Sequence, residues 1–211
     1  DAASALSALA FWYDVLGEAS LAAESLTQAL ELQPSHLYSR YLQARWAARD
    51  GAEGIARDQF RELVGEVPNC SAFLMELGNL LQLDGRHLPA EVAFRQAETH
   101  RPAGVSSTAN ASAWAELALR RGLNLLAAEE FDASIDSLAA AQSLWPGFLE
   151  AQNAIACLQY ARGDLAAAVA EFGYLLDTLR NQEEHPQAQF AQIWQGRVNA
   201  HARLRLWKDS F

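Results

Sequence analysis

Pro34, Pro68 and Pro102 lie 34 residues apart, and the segment that leads into each proline repeats one pattern of small and apolar residues. A fixed period of that length is typical of proteins built from stacked helical repeats. Proline supports this interpretation because it cannot continue a helix and often follows one. The period therefore predicts a series of helix-turn-helix units, each of which packs on its neighbours.

The first unit shows the pattern most clearly. Apolar residues recur at helical spacing before Gly17 and again between Gly17 and Pro34. Residues spaced by three and four positions share one face of a helix, so two amphipathic helices joined at Gly17 are predicted. The third unit repeats the arrangement around Gly85. Small residues such as Ala10 and Gly78 recur where the paired helices would approach each other closely.

These positions resemble the tetratricopeptide repeat. In that family the first helix carries, in order, a bulky residue, then Leu, then Gly or Ala, then Tyr or Leu. The second helix carries Ala, then an aromatic residue or Leu, then Ala, and a Pro follows it. The stretch from Ala29 to Pro34 is close to the usual ending. The resemblance implies an all-α fold, an α-solenoid with the form of a right-handed superhelix of about five and a half repeats. One array is expected over residues 1–211, with repeats near 3–36, 37–70, 71–104, 115–148 and 149–182 and a partial repeat at 191–211.

Two stretches interrupt the period. Residues from Val105 to Trp114 are extra between the third and fourth repeats, and residues from Glu183 to Phe190 are extra between the fifth and sixth. Ser106 to Thr108 would fit a helix cap before the apolar run that follows. Longer first helices or short loops are the simpler interpretation, and a contribution to binding is the alternative.

The charge of the chain limits its partners. A formal net charge of −10 and an isoelectric point near 4.9 argue against nucleic acid, whose binding depends on phosphate neutralisation by Lys and Arg. No apolar stretch approaches the roughly 20 residues that cross a bilayer, so no membrane insertion is expected. No signal-peptide pattern is present in this chain, which leaves the compartment open and favours the cytoplasm.

Residues with catalytic potential are scattered. The five histidines form no metal-type cluster with Cys or Asp, and no phosphate-binding loop or nucleophile motif occurs. Cys70 and Cys157 are nearly three repeats apart, so no disulfide is expected between them. The sequence therefore predicts no enzyme activity, no catalytic residues, no metal and no cofactor.

The resemblance implies that the first helices line a concave groove for a partner protein or peptide. The second repeat is rich in Tyr and Arg, residue types that are enriched at binding hot spots. Arg45 and Arg49 are four residues apart and share one helix face, where they could clamp a carboxylate. The alternative is that the tyrosines only fill the gap between repeats. The predicted groove residues are Tyr38, Tyr41, Arg45, Arg49, Asn79, Gln82, Arg120 and Asn153.

Two further expectations come from comparing equivalent positions. Chaperone-binding members of the family grip a C-terminal carboxylate with Lys and Asn. The corresponding early positions here hold Ser7 and Phe11, with Met75 and Asn79 in the third repeat, so no binding to chaperone tails is expected. Trp12 and Trp46 occupy the same place in successive repeats. Packing between repeats would produce that recurrence, and both indoles are expected in the core.

The leading hypothesis for function is a protein–protein interaction scaffold that binds a partner peptide or helix in the groove. The alternative is the docking or regulatory region of a larger enzyme, such as a glycosyltransferase or methyltransferase. A third hypothesis is a homo-oligomer, because terminal repeats need polar caps whereas Trp194, Trp207 and Phe211 are apolar.

Overall fold

The computed structural model describes residues 1–101, 108–180, 193 and 195–200 of the 211-residue chain. These residues are helical apart from short turns, and no strand occurs among them. Residues 193 and 195–200 are also helical, beyond the last helix with defined bounds. The all-α prediction is confirmed. The helices with defined bounds are α1 Ala2–Val15, α2 Ala19–Leu32, α3 Leu37–Arg49, α4 Glu53–Glu66, α5 Ser71–Leu83, α6 His87–Thr99, α7 Thr108–Ala127, α8 Phe131–Leu144, α9 Leu149–Arg162 and α10 Leu165–Arg180.

Consecutive helices pack in pairs. In each of the five pairs an odd-numbered helix packs on the even-numbered helix that follows, across a short turn. The chain forms two compact units, residues 1–101 with three helix pairs and residues 102–211 with the remaining helices. Within each unit, every pair also packs on the next pair. The helix-turn-helix prediction is confirmed, whereas a single array over the whole chain stays a prediction.

The turn inside each helix pair needs a left-handed residue. Gly17, Gly51, Gly85 and Gly163 have φ angles of 79°, 84°, 72° and 85° at this position. Glycine adopts this conformation without a steric cost because it has no Cβ. The fourth pair has Glu129 instead, at a φ of 62°. The left-handed turn is therefore set by the pairing of the helices even where the residue does not favour it.

The closing prolines follow the second helices as predicted. Helix α2 ends two residues before Pro34, α4 ends two residues before Pro68, and α8 ends two residues before Pro146. Proline lacks the backbone N–H and fixes φ, so the helix ends before it. Pro102 lies outside the described residues.

The first extra stretch of sequence contributes to a longer helix. Helix α7 begins at Thr108, so residues 108–114 of the stretch are helical and α7 is 20 residues long. This agrees with the simpler interpretation of a longer first helix. Residues 105–107 and the second extra stretch, 183–190, lie outside the described residues.

Small residues bring the paired helices into close contact. A Cβ built on Gly78 would lie 2.6 Å from the Phe94 ring, and one built on Gly122 would lie 2.6 Å from the Leu138 side chain. Ala10 is fully buried in the corresponding place in the first pair. The predicted close approach at these positions is confirmed, because each larger side chain on the second helix fills the space that the small residue leaves.

The expectation that both tryptophans lie in the core is wrong for Trp12. Trp46 packs against the cluster of Ala10, Leu26 and Leu42, which α1, α2 and α3 build together. Trp12 is 60% exposed and makes an edge contact with the neighbouring Phe11 ring. The two indoles differ because α3 packs on a preceding helix pair, whereas no described helix packs on the equivalent face of α1.

Candidate partner-binding faces

The first helices of successive pairs lie side by side in the first unit, where α1 contacts α3 and α3 contacts α5. Six of the predicted groove residues lie on α3 and α5. We refer to this surface as the first-unit face, defined by Tyr38, Tyr41, Arg45, Arg49, Asn79 and Gln82.

The two tyrosines of this face differ in exposure. Tyr41 is enclosed by three rings, with centroid distances of 6.2 Å to Tyr38, 6.0 Å to Phe60 and 5.7 Å to Phe73. Burial raises the pKa of the Tyr41 phenol, and the nearby Arg45 guanidinium opposes that rise only in part. Tyr38 stacks on Tyr41 but remains 41% exposed. Tyr41 therefore fills the gap between helix pairs, as the alternative expected, while Tyr38 offers an aromatic surface.

The two arginines are paired with carboxylates on both neighbouring first helices. Arg45 Nε lies 3.4 Å from Glu76 Oε1 on α5. Arg49 Nη1 donates to Asp14 Oδ1 on α1 at 2.6 Å, and its Nε donates to Asp50 Oδ1 at 3.4 Å. The arginine side chains are still 47% and 54% exposed. The pairs tie α3 to α1 and α5, and a partner carboxylate would share the guanidinium groups with Asp14 and Glu76.

The two amides of the face lie on α5 and are partly buried. The Oδ1 atom of Asn79 is buried and accepts no hydrogen bond from a described residue. Buried side-chain oxygens usually have a donor, because leaving one without a partner costs free energy. Gln82 lies near the end of α5, where its backbone carbonyl accepts a bond from the Gly85 N–H at 2.9 Å.

Arg40 departs from the apolar repeat pattern for a structural reason. Its side chain is 19% exposed, with Nη1 donating to Glu66 Oε1 at 2.5 Å and Nη2 donating to Glu62 Oε2 at 3.3 Å. Both carboxylates belong to α4, so the ion pairs join the two helices of the second pair. Arg40 therefore joins α3 to α4 and does not belong to the first-unit face.

A polar network around His36 was not predicted from the sequence. His36 Nδ1 accepts a hydrogen bond from the Ser39 backbone N–H at 3.3 Å and so caps the start of α3. The imidazole also lies 3.1 Å from Ser4 Oγ, and Ser7 Oγ lies 2.6 Å from Ser39 Oγ. Histidine is not among the usual capping residues, so the sequence gives no clear signal for this role.

The other two predicted residues, Arg120 and Asn153, lie in the second unit and line one depression of about 530 Å³. It lies between α7, α9 and the turn that joins α8 to α9. We refer to it as the second-unit groove, lined by Glu116, Leu119, Arg120, Leu123, Trp145, Phe148, Glu150, Asn153, Ala154 and Cys157.

The groove combines an ion pair with a stacked aromatic pair. Arg120 Nε donates to Glu116 Oε1 at 2.6 Å, one helical turn away on α7. The Trp145 and Phe148 rings stack with centroids 4.7 Å apart and planes 22° apart. Phe148 is buried, whereas Trp145 is 47% exposed. The sequence prediction did not include these two rings in the groove, because they belong to the turn before α9 rather than to a first helix.

The remaining chemistry of the described part of the chain is limited. No group of three or more His, Cys, Asp and Glu side chains among the described residues is arranged to hold a metal ion. Cys70 and Cys157 are both free, and partial burial of its sulfur raises the pKa of the Cys157 thiol. Within the described ranges, no helix has the length and hydropathy needed to span a bilayer.

Helix pairs joined by left-handed turns and stacked on the next pair define the class of protein: the chain has the fold of the tetratricopeptide repeat proteins. No protein-family model matches the chain, and no curated protein matches it in sequence. Solved structures do match it over most of its length.

Three solved structures illustrate the similarity. A tetratricopeptide repeat protein from Parabacteroides merdae matches 96% of this chain over 73% of its own, with 14% identity and a TM-score of 0.73. The match to a thermophilic TPR protein from Thermus thermophilus covers 96% of this chain and 99% of that protein, with 22% identity and a TM-score of 0.63. The APC/C hetero-tetramer Cut9-Hcn1 contains a chain that matches 94% over 36% of its own length, with 17% identity and a TM-score of 0.78. At these identities the similarity concerns the fold.

Proposed function

We propose that this chain is a protein-interaction scaffold and that a peptide or helix of a partner protein binds across the first-unit face. Proteins with this fold generally act as interaction scaffolds, and one similar chain is part of the Cut9-Hcn1 hetero-tetramer. The observation that carries the proposal is the exposed ring of Tyr38 on the same helix as Arg45 and Arg49, whose side chains are each about half exposed. Tyrosine and arginine are, with tryptophan, the residue types enriched at binding hot spots.

The tyrosine pair would supply the apolar contact. Tyr38 is held by its stack on Tyr41, which is itself packed against Phe60 and Phe73. A ring that is already held in place loses little conformational entropy when a partner covers it. Tyr38 therefore offers an aromatic anchor of low entropic cost at the edge of the first-unit face.

The arginines would supply the polar contacts. A guanidinium has five N–H donors, and the pairs with Glu76, Asp14 and Asp50 engage one nitrogen of Arg45 and two of Arg49. Donors therefore remain for a partner carboxylate or backbone carbonyl. Loss of one such contact from the centre of an interface typically costs about 2 kcal/mol or more, roughly a thirtyfold change in affinity.

The test is a double substitution, Arg45→Ala with Arg49→Ala. A partner is first identified by affinity capture with the whole chain and is then purified, so that its affinity can be measured by calorimetry. The double variant should bind at least about thirtyfold more weakly. Its helicity should be kept, because exposed ion pairs contribute about 0–1 kcal/mol each to stability.

The matched control is Arg61→Ala with Arg95→Ala, which removes two exposed arginines from the second helices α4 and α6. This control should bind the partner as the unchanged chain does. Equal affinity of the Arg45 and Arg49 double variant and the unchanged chain would contradict the first-unit face as the binding site.

A further inference from the structure

We propose that the second-unit groove binds a protein segment in which an aliphatic or aromatic side chain is accompanied by a lysine or arginine. The inference rests on the proposed scaffold function and adds a second site with its own chemistry. It follows from three features of the groove: an apolar floor, a net negative rim and an exposed indole.

The floor of the groove is apolar and already packed. Leu119 is 4% exposed, Phe148 5% and Ala154 3%, so the side chains below the open space are held by the core of the second unit. The open volume of about 530 Å³ lies within the range of small-ligand sites, so it has room for a side chain of a partner. An aliphatic or aromatic side chain that entered this space would be removed from water, which favours binding.

The rim carries more negative than positive charge. Glu116 and Glu150 are 34 residues apart, at the same repeat position, and both line the groove. Arg120 is paired with Glu116 on its own helix. Glu150 makes no ion pair with another residue in the described part of the chain, so the groove holds one carboxylate without a counter-charge. A cation on the partner would neutralise it, whereas an acidic partner would be repelled.

Trp145 adds a second contact for a cation. Its indole is 47% exposed and is held flat against the buried Phe148 ring. The face of a tryptophan ring is the most favourable aromatic surface for a guanidinium or ammonium group. The groove therefore offers a carboxylate and an indole face beside an apolar floor, which together suit a cationic residue next to an apolar one.

Cys157 makes the occupancy of the groove measurable. It lines the groove, and the only other cysteine of the chain, Cys70, lies in the first unit. The rate of alkylation of each thiol by a maleimide can be followed by mass spectrometry on the whole chain. A segment that occupies the groove should slow the reaction of Cys157 and leave that of Cys70 unchanged, so Cys70 acts as an internal reference.

The probe is a set of synthetic peptides of about nine residues, which span up to roughly 30 Å when extended. Each has Leu, Phe or Trp at its centre and Arg or Lys at one flanking position, and a matched set has Glu in place of the cation. At up to about 1 mM, at least one cationic peptide should slow Cys157 alkylation about fivefold or more, and its Glu counterpart should not. No slowing by any cationic peptide, or equal slowing by the Glu set, would overturn the proposal.

A charge variant then assigns the contact. Glu150→Gln should weaken the binding of the peptide that protects Cys157 by about five- to tenfold. The matched control is Glu171→Gln on α10, a residue that does not line the groove, and it should leave the protection unchanged. Equal protection of the Glu150→Gln variant and the unchanged chain would contradict the role of the unpaired carboxylate.

The two proposals fail separately. Partner binding that depends on Arg45 and Arg49, together with an unprotected Cys157, would leave the scaffold function standing and overturn the second-unit groove. Protection of Cys157 by cationic peptides, together with an Arg45 and Arg49 double variant that binds its partner normally, would support the groove and reject the first-unit face.

Discussion

The two units present different chemistry from equivalent helices. Tyr38 is the second residue of α3 and Glu150 is the second residue of α9, so the same repeat position carries a phenol in one unit and a carboxylate in the other. The first-unit face combines aromatic rings with arginines, whereas the second-unit groove has an apolar floor and a negative rim. The helix pairs thus determine where a side chain lies, while the residue type and its neighbours on adjacent helices determine what the position can bind.

The ion pairs of the two surfaces also connect different elements. Arg45 and Arg49 pair with carboxylates on neighbouring first helices and so cross the first-unit face. Arg120 pairs with Glu116 within α7, and it leaves the space between α7 and α9 open. The pairs of the first-unit face therefore link neighbouring first helices, whereas the Arg120–Glu116 pair links two turns of one helix.

The largest expected effect tests whether the two units lose equal stability when a large buried side chain is removed from their cores. Phe60 and Leu138 occupy the same repeat position on a second helix, and both are fully buried. Phe60→Ala should lower the free energy of unfolding by about 3–5 kcal/mol and Leu138→Ala by about 2–5 kcal/mol, through lost burial and the cavity that remains. Denaturant titration followed by circular dichroism measures both changes.

Hydrogen exchange would sharpen this first comparison. The lost protection should centre on α3, α4 and α5 for Phe60→Ala, because Phe60 packs on Tyr41 and lies beside the third helix pair. A change below about 1 kcal/mol for either variant would mean that the site tolerates a cavity, contrary to its burial.

A smaller effect is expected where paired helices approach most closely. Gly78→Ala and Gly122→Ala each place a Cβ 2.6 Å from a side chain, the Phe94 ring in one unit and Leu138 in the other. Overpacking of this kind costs about 1–3 kcal/mol, partly offset by the better helix propensity of alanine. The cost should be larger for Gly78, because a flat ring has fewer ways to move aside than a leucine.

The matched control for these two variants is Gly65→Ala in α4. A Cβ at Gly65 would have nothing within 4 Å, so only the gain in helix propensity remains. This variant should be up to about 1 kcal/mol more stable than the unchanged chain. Thermal unfolding of all three variants in parallel gives the comparison, and a stabilised Gly78→Ala would contradict the close approach.

Substitutions at the turns within the helix pairs should change the free energy of unfolding by about 1 kcal/mol or less, and the sign of the change should differ between the two units. Glu129→Gly removes a side chain from a left-handed residue and should stabilise the protein by about 0.5–1 kcal/mol. Gly51→Ala, at the equivalent turn of the first unit, should destabilise by about 1 kcal/mol, although a Cβ there has open space around it. Shifts of the melting temperature in the same direction for both variants would show that the backbone conformation does not govern the stability of these turns.

The helices and turns could be predicted from the sequence because their causes are local. Proline at Pro34 and glycine at Gly17 act through the backbone of the residues beside them, and the small residue Gly78 marks a contact within one helix pair. Each of these features recurs with the period of the chain. Because these residues recur with a period of 34, the pairing of the helices could be predicted from the sequence alone.

The surfaces could be predicted only in part, because they depend on which helices are neighbours. The pairing of Arg40 with two glutamates of α4 needs a specific rotation of two helices, and no spacing in the sequence indicates it. Trp12 and Trp46 are equivalent in sequence but differ in exposure, since only one has a helix pair beside it. The aromatic turn at Trp145 lies outside the first helices, where the repeat pattern gives no expectation for the groove.

The smallest expected effect is on the pH dependence of stability, and it compares Tyr41 with Leu119, the residue at the equivalent repeat position in the second unit. Burial raises the pKa of the Tyr41 phenol above its ordinary value of about 10, with Arg45 opposing the rise and Glu76 adding to it. Burial favours the neutral phenol, so its stabilising contribution is complete below pH 10 and is lost as the pH rises through the higher pKa of the folded protein. The free energy of unfolding should therefore fall less steeply above pH 10 in Tyr41→Phe than in the unchanged chain, and denaturant titrations between about pH 8 and 11 measure the two slopes. Leu119→Ile, which has no titrating group, should keep the slope of the unchanged chain, and an equal slope for Tyr41→Phe would mean that Tyr41 is as well solvated in the folded protein as in the unfolded one.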